Sequence, residues 1–162
     1  MNVEQLMTRT VRTCCPNDPL SDAALIMWEA DCGCVPVTEQ CYGSAKVVGM
    51  ITDRDICMAA YTQELPLSEI EVGSVMAKTL YSCRTTDSIA AALKVLEQNQ
   101  IHRLLVLDQD DTLMGLLSLA DIAREAKREH GGTTNEVSAA EVGQVVEAIS
   151  APRSPGDVAR AA

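Results

Sequence analysis

Two short patterns in this chain carry residues suited to chemistry: Thr52-x-x-Asp55 and Ser118-x-x-Asp121, each a hydroxyl followed one helical turn later by a carboxylate. A carboxylate so placed can accept hydrogen bonds from two neighbouring hydroxyls, such as those of a ribose, and the hydroxyl beside it can reach ribose or phosphate. The start of a helix also favours an anion through its free N–H groups and its dipole. The same residue types form a near capping box, which satisfies the first N–H groups of a helix with no ligand at all. Spacing alone leaves both readings open, because a duplicated fold duplicates its caps.

Basic residues accompany both patterns. Arg54 lies inside the first, and His102-Arg103 open an apolar run ahead of the second. Gly33-Cys34 stand at the matching place in the first half, so that half has no equivalent cation. The two sites are expected to be unequal, with phosphate favouring the one beside His102 and Arg103. Arg103 in a surface ion pair would contribute little, and His102 as a solvated turn residue would do nothing.

The elements that must position these residues come as a repeat. Residues Leu6 to Val37 align without a gap with Val75 to Val106, and Met7/Met76, Thr10/Thr79, Cys14/Cys83, Asp18/Asp87, Ala23/Ala92 and Val37/Val106 are identical. After one length change, Gly49-Met-Ile-Thr52-Asp-Arg-Asp55-Ile56 matches Gly115-Leu-Leu-Ser118-Leu-Ala-Asp121-Ile122. The period is too long for a solenoid and indicates a duplicated small domain.

Each repeat reads β-α-β-β-α. In the first, Val11 to Thr13 is predicted as a strand. Asn17-Asp18-Pro19 opens a helix with the stripe Leu20, Ala23, Ala24, Met27. Strands follow at Cys34 to Thr38 and Lys46 to Thr52, joined by a turn at Gly43-Ser44, and a helix runs from Asp53 to about Tyr61. In the second, Leu80 to Cys83 is extended and Thr86-Asp87 caps a helix carrying Ile89, Leu93 and Leu96. Arg103 to Asp108 and Leu113 to Leu117 are strands, and a helix covers Leu119 to about Glu129. Short helices at Val3 to Met7 and Val72 to Met76 precede the repeats. Domain boundaries are therefore expected at 1–62, a linker 63–71, 72–129, and a tail 130–162. Gly131-Gly132 breaks the chain in that tail. Val142, Val145, Val146 and Ile149 then recur at helical spacing, a stripe that must cover the module or a partner. The end, from Ala151 to Ala162, has the composition of a disordered segment.

Composition limits the function. The formal charge is −10, which disfavours nucleic acid and anionic membranes. No apolar run approaches the ~18 residues of a membrane span, and the N-terminus lacks a signal-peptide pattern, so a soluble cytoplasmic protein is expected. With no Phe, the core must be aliphatic. One repeat alone, about 60 residues, would be marginally stable. The seven cysteines do not follow zinc-ligand spacing and read as small buried hydrophobes in a reducing compartment, the alternative being a zinc or redox protein. The paired Met7 and Met76 read as core, and Trp28 as a packing anchor or an interface residue. The acidic stretches match no calcium loop. No nucleophile–base pair at characteristic spacing is visible, so no enzyme, metal or cofactor is expected.

The unit β-α-β-β-α with an apolar strand running into Gly-h-h-Thr/Ser-x-x-Asp-Ile, present twice, resembles a pair of cystathionine-β-synthase (CBS) domains, or Bateman module. The likeness covers residues 3 to about 128, and the added C-terminal helix is similar to that of small stand-alone bacterial CBS proteins. The resemblance implies an α/β fold of two CBS repeats packed about a pseudo-twofold axis, with clefts between them. It implies a regulatory sensor of adenine-containing ligands (AMP, ADP, ATP or S-adenosylmethionine) with no catalytic domain attached. Asp55 and Asp121 would hold the ribose, with Thr52 and Ser118 reaching ribose or phosphate, and His102 and Arg103 the phosphate; in the first repeat Arg54 or the other half would have to supply that charge. Val11, Thr13, Val35 and Pro36, with Leu80 and Ser82, would line the ligand. The partners implied are such a ligand, a second copy in a homodimer and a regulated protein target. A ligand-free structural or stress-related interaction module is the rival reading.

Overall fold

The computed structural model describes residues 1–39, 46–127 and 137–152. The chain forms two compact units, one of residues 10–80 with 111–113, the other of residues 1–9, 81–110 and 114 onward. The first holds most of the first repeat and the second most of the second.

In the first-repeat unit, α1 (Leu20–Glu29) precedes β1 (Cys34–Thr38) and β2 (Val47–Thr52), and α2 (Asp53–Gln63) follows at once. β1 and β2 are antiparallel, with Cys34 opposite Thr52 and a register shift at Thr38. After the 3-10 turn Leu67–Glu69 comes α3 (Val72–Val75). The predicted stripe holds: Leu20, Ala23 and Met27 are buried with Val35, Val37, Ile51, Ile56 and Val72 in an aliphatic cluster.

The strand predicted at Val11–Thr13 is absent. Only Cys14 pairs with β1, opposite Val37. The second repeat shows why. There β3 (Ser82–Arg84) runs parallel to β4 (Arg103–Leu107), with Cys83 opposite Val106, and the Leu105 N–H donates to the Tyr81 carbonyl (3.1 Å). Leu105 corresponds to Pro36, which has no N–H to give. One missing donor thus leaves the first repeat with a single bridge where the second has a strand.

The second-repeat unit continues with α4 (Ile89–Asn99), placed between β3 and β4, then β5 (Leu113–Ser118), α5 (Leu119–Ala126) and α6 (Ala139–Ser150). Its sheet has the order β3-β4-β5. The helix cap expected at Thr86-Asp87 lies one residue further on. Ser88 accepts from the Ala91 N–H, while the Asp87 carboxylate accepts from the Arg84 N–H (2.7 Å) and closes the turn before it. Asp18, its identical counterpart, does the same for the Cys15 N–H (2.7 Å). Leu93, Leu96, Leu117 and Ile122 form the core, and α6 adds Val142, Val145 and Ile149 to it. Val146, predicted in that stripe, is exposed. The predicted turn at Gly43-Ser44, the break at Gly131-Gly132 and most of the tail lie outside the described residues.

The segments that lead into the repeats do not stay with them. The 3-10 turn Val3–Gln5 and Thr8 belong to the second-repeat unit, where Thr8 and Leu116 exchange backbone hydrogen bonds (2.8 and 3.0 Å). Ala77 and Met50 pair likewise in the first-repeat unit (2.9 and 3.0 Å). Each exchange seats one of the repeated methionines on one of the repeated glycines. A Cβ on Gly49 would stand 2.3 Å from the Met76 sulfur, and one on Gly115 would stand 2.6 Å from the Thr8 carbonyl oxygen and 3.1 Å from the Met7 sulfur.

Candidate functional site

Both hydroxyl–carboxylate patterns fall where an extended strand turns into a helix, and both form complete capping boxes. Thr52 donates its N–H (2.9 Å) and its hydroxyl (2.6 Å) to Asp55 Oδ2, and the Asp55 N–H donates back to Thr52 Oγ1 (3.3 Å). Ser118 and Asp121 repeat the arrangement at 2.9, 2.5 and 3.2 Å. Each hydroxyl thereby commits its proton to the carboxylate. What a ligand could still use is the second carboxylate oxygen.

That oxygen differs between the repeats. Asp55 Oδ1 has no partner among the described residues, whereas Asp121 Oδ1 accepts from Arg124. The Asp121 side chain is 14% exposed and Arg124 72%, so the arginine covers the carboxylate from the solvent side. The sequence reading missed Arg124. Its signal was the i, i+3 spacing from Asp121, at which helix neighbours meet. Met58 holds the matching place in the first repeat.

The backbone at His102 is tied to the second pattern. The Leu119 N–H, at the first position of α5, donates to the His102 carbonyl (2.9 Å). This bond ties the start of β4, and with it the exposed Arg103, to the end of β5. Arg103 makes no ion pair among the described residues. The first repeat has the same tether, Asp53 N–H to the Gly33 carbonyl (3.3 Å), but brings no cation with it. Arg54 is exposed on the first turn of α2, its N–H donating to Asp53 Oδ1 (2.8 Å). Val11, Thr13 and Leu80 are half-buried and Ser82 is exposed. Val35 and Pro36 are buried on β1, Val35 wholly inside its unit's core.

The cysteines depart in part from the sequence reading. Cys15 is disulfide-bonded, so not all seven are free thiols. Cys57 is exposed. Cys14 and Cys83 fit the expectation of buried hydrophobes. Burial first, and then the neighbouring Asp18 or Asp87, pushes each thiol up to about 12, where it holds its proton. Among the described residues, no three His, Cys, Asp or Glu side chains are grouped to hold a metal ion. None of the described helices is long and apolar enough to cross a membrane.

Comparison with known proteins agrees with this architecture. The CBS domain pattern matches twice, at residues 3–61 and 72–128. The chain is 36% identical over 126 residues to the CBS domain-containing protein YhcV of Bacillus subtilis, covering 75% of this chain and 83% of that one. It is 32% identical over 108 residues to Hypoxic response protein 1 of Mycobacterium tuberculosis, covering 67% and 73%. A crystal structure of Hypoxic Response Protein I holds two coordinated zinc ions; it is 27% identical, with a TM-score of 0.65 over 76% of this chain and 98% of that one. Two ligand complexes share the fold. The CBS domain pair of protein MJ0100, bound to 5-methylthioadenosine and S-adenosyl-L-methionine, has a TM-score of 0.67 at 18% identity over 76% of this chain and 98% of that one. CBSX2, bound to AMP, has a TM-score of 0.65 at 23% identity over 76% and 93%. With two matched domains over most of its length, the chain belongs to the CBS domain family.

Proposed function

We propose that the protein is a regulatory binding module for adenosyl ligands such as AMP, ADP, ATP or S-adenosylmethionine, and that it acts by binding rather than by catalysis. One observation carries this reading. In each repeat the cap fixes an aspartate at a helix start using only one of its oxygens, and in the second repeat the same turn is tied to His102-Arg103. An aspartate held this way is ready to accept ribose hydroxyls, and an arginine with no ion pair beside it is ready for phosphate. The adenosyl ligands of MJ0100 and CBSX2 support the same ligand class here.

The two repeats divide the work. Asp55, with its second oxygen open, takes a ribose most readily. Asp121 does so once Arg124 swings away, with Arg103 adding affinity for phosphate. A ligand that engages these groups differently in two conformations shifts their balance, which is the signal passed to a target protein.

A thermal-shift panel of AMP, ADP, ATP, S-adenosylmethionine and 5-methylthioadenosine tests the proposal. A ligand at a hundred times its Kd adds about 2.7 kcal/mol to stability. At least one of these compounds should raise the melting temperature, and Arg103→Ala should reduce the shift with AMP more than with adenosine. A flat response to all of them refutes the adenosyl reading.

A further inference from the structure

Helix α5 is one short element with two occupied faces. It has eight residues, fewer than the ~12–15 at which an isolated helix becomes even marginally stable in water, so its neighbours hold it in place. One stripe carries Asp121 and Arg124. Asp121 is fixed by the Ser118 cap, and the helix start is tied to His102 through the Leu119 N–H (2.9 Å). The other stripe, Leu119 and Ile122, is buried in one cluster with Val142, Val145 and Ile149 of α6.

α6 lies against both α4 and α5. It is fastened at its C-terminal end, where the Gln100 amide, just past α4, donates to the Ala148 (3.0 Å) and Ala151 (3.4 Å) carbonyls. In the first-repeat unit, nothing as long as α6 lies across α1 and α2 among the described residues, and Trp28 and Tyr61 stay 86% and 78% exposed. The helix that carries Asp121 therefore has a second helix behind it, and the one that carries Asp55 does not.

A ligand on Asp121 and a docked α6 hold the same helix in the same conformation from opposite sides. Without α6, Leu119 and Ile122 lose their cover on a helix too short to stand alone, and the turn that aims Asp121 loosens. A ligand that bonds Asp121 clamps that turn. It displaces Arg124, whose exposed ion pair contributes little. We infer that α6 is the element that reads the second-repeat site: an adenosyl ligand there tightens the docking of α6, and a target protein that takes the Val142–Val145–Ile149 stripe for itself weakens the ligand. This rests on the adenosyl reading and adds to it the helix that carries the signal. The coupling is reciprocal by thermodynamic necessity. It needs no large movement, only that both contacts suppress the same local opening of α5.

Hydrogen exchange of the full chain, read by NMR, tests this with the tightest binder among AMP, ADP, ATP, S-adenosylmethionine and 5-methylthioadenosine. On binding, the amides of residues 145–149 should exchange about five- to tenfold more slowly, at the low end of typical couplings between sites, and those of α1 should change less. Asp121→Asn at the same ligand concentration should remove most of the slowing. By reciprocity, Val145→Ala/Ile149→Ala should weaken the ligand in calorimetry by the same factor. If that variant does not fold, Gln100→Ala, which removes only the side-chain fastening, should weaken it in the same direction. A ligand that binds without slowing α6, a slowing undiminished in Asp121→Asn, or full affinity in the folded α6 variant overturns the inference and leaves the adenosyl reading standing. No binding by any of the five compounds overturns both.

Discussion

Asp121→Asn separates the two roles that the second pattern combines. The Asp121 carboxylate accepts the Ser118 N–H and hydroxyl through one oxygen and Arg124 through the other. An asparagine keeps a carbonyl oxygen for the Ser118 N–H, and asparagine is itself a good capping acceptor. The pair with Arg124, whose guanidinium is mostly exposed, contributes at most about 1 kcal/mol. The substitution should therefore cost about 1 kcal/mol of stability, a fall of about 2–4 °C in Tm for a two-state chain of this size. A ribose bound by the carboxylate loses a charged hydrogen bond worth about 1.5–3 kcal/mol, which weakens AMP roughly ten- to hundredfold. Arg124→Ala makes the opposite change, removing the group that competes for the outer oxygen, and should leave AMP affinity equal or improved. Titration calorimetry with AMP and thermal unfolding followed by circular dichroism, on the wild type, Asp121→Asn, Asp121→Ala and Arg124→Ala side by side, give both quantities. Wild-type affinity in Asp121→Asn, together with a loss of about 1–2 kcal/mol in Asp121→Ala, would reduce Asp121 to a helix cap. Weaker binding in Arg124→Ala would refute the competition.

Gly115→Ala should cost about 1–3 kcal/mol in urea unfolding, because the new Cβ meets the Thr8 carbonyl of a backbone pair that cannot move alone. Gly49→Ala should cost less, since it meets chiefly the side chain of Met76, which can swing. Asp31 and Gln100 hold matching left-handed positions after α1 and α4, at φ 48° and 49°. Asp31→Gly should stabilise by about 1 kcal/mol, whereas Gln100→Gly should gain less or lose, because the Gln100 amide donates to the Ala148 carbonyl of α6 (3.0 Å); melting temperatures check both. Cys14 and Cys83 hold their protons in the fold up to about pH 12 but release them near 9 when unfolded. Their contribution is fully present below pH 9 and is lost as pH rises toward 12. The urea midpoint should accordingly fall above pH 9, with a shallower slope in Cys83→Ala, and an unchanged slope would count against a buried thiol.

The duplication, the helices, β1, β2 and the chain positions of both caps were legible in the amino-acid order. These depend on neighbours in the chain: apolar spacing, a proline or hydroxyl at a helix start, and an aspartate three residues on. The missing strand at Val11–Thr13 was legible only in hindsight, because the proline that forbids it, Pro36, lies in a different element. Tertiary structure alone decided the rest. It seats Met7 against Gly115 and Met76 against Gly49, placing the lead of each repeat on the unit of the other. The repeat alignment shows these identities but says nothing of which methionine meets which glycine. It also set α6 on α4 and α5, leaving α1 and α2 with Trp28 and Tyr61 in the open, although either helix pair was apolar enough to receive it. And it gave the outer oxygen of Asp121 to Arg124 while leaving that of Asp55 unclaimed. Local spacing says where a side chain begins; its partner is chosen by packing between residues far apart in the chain, where burial has no direction of its own.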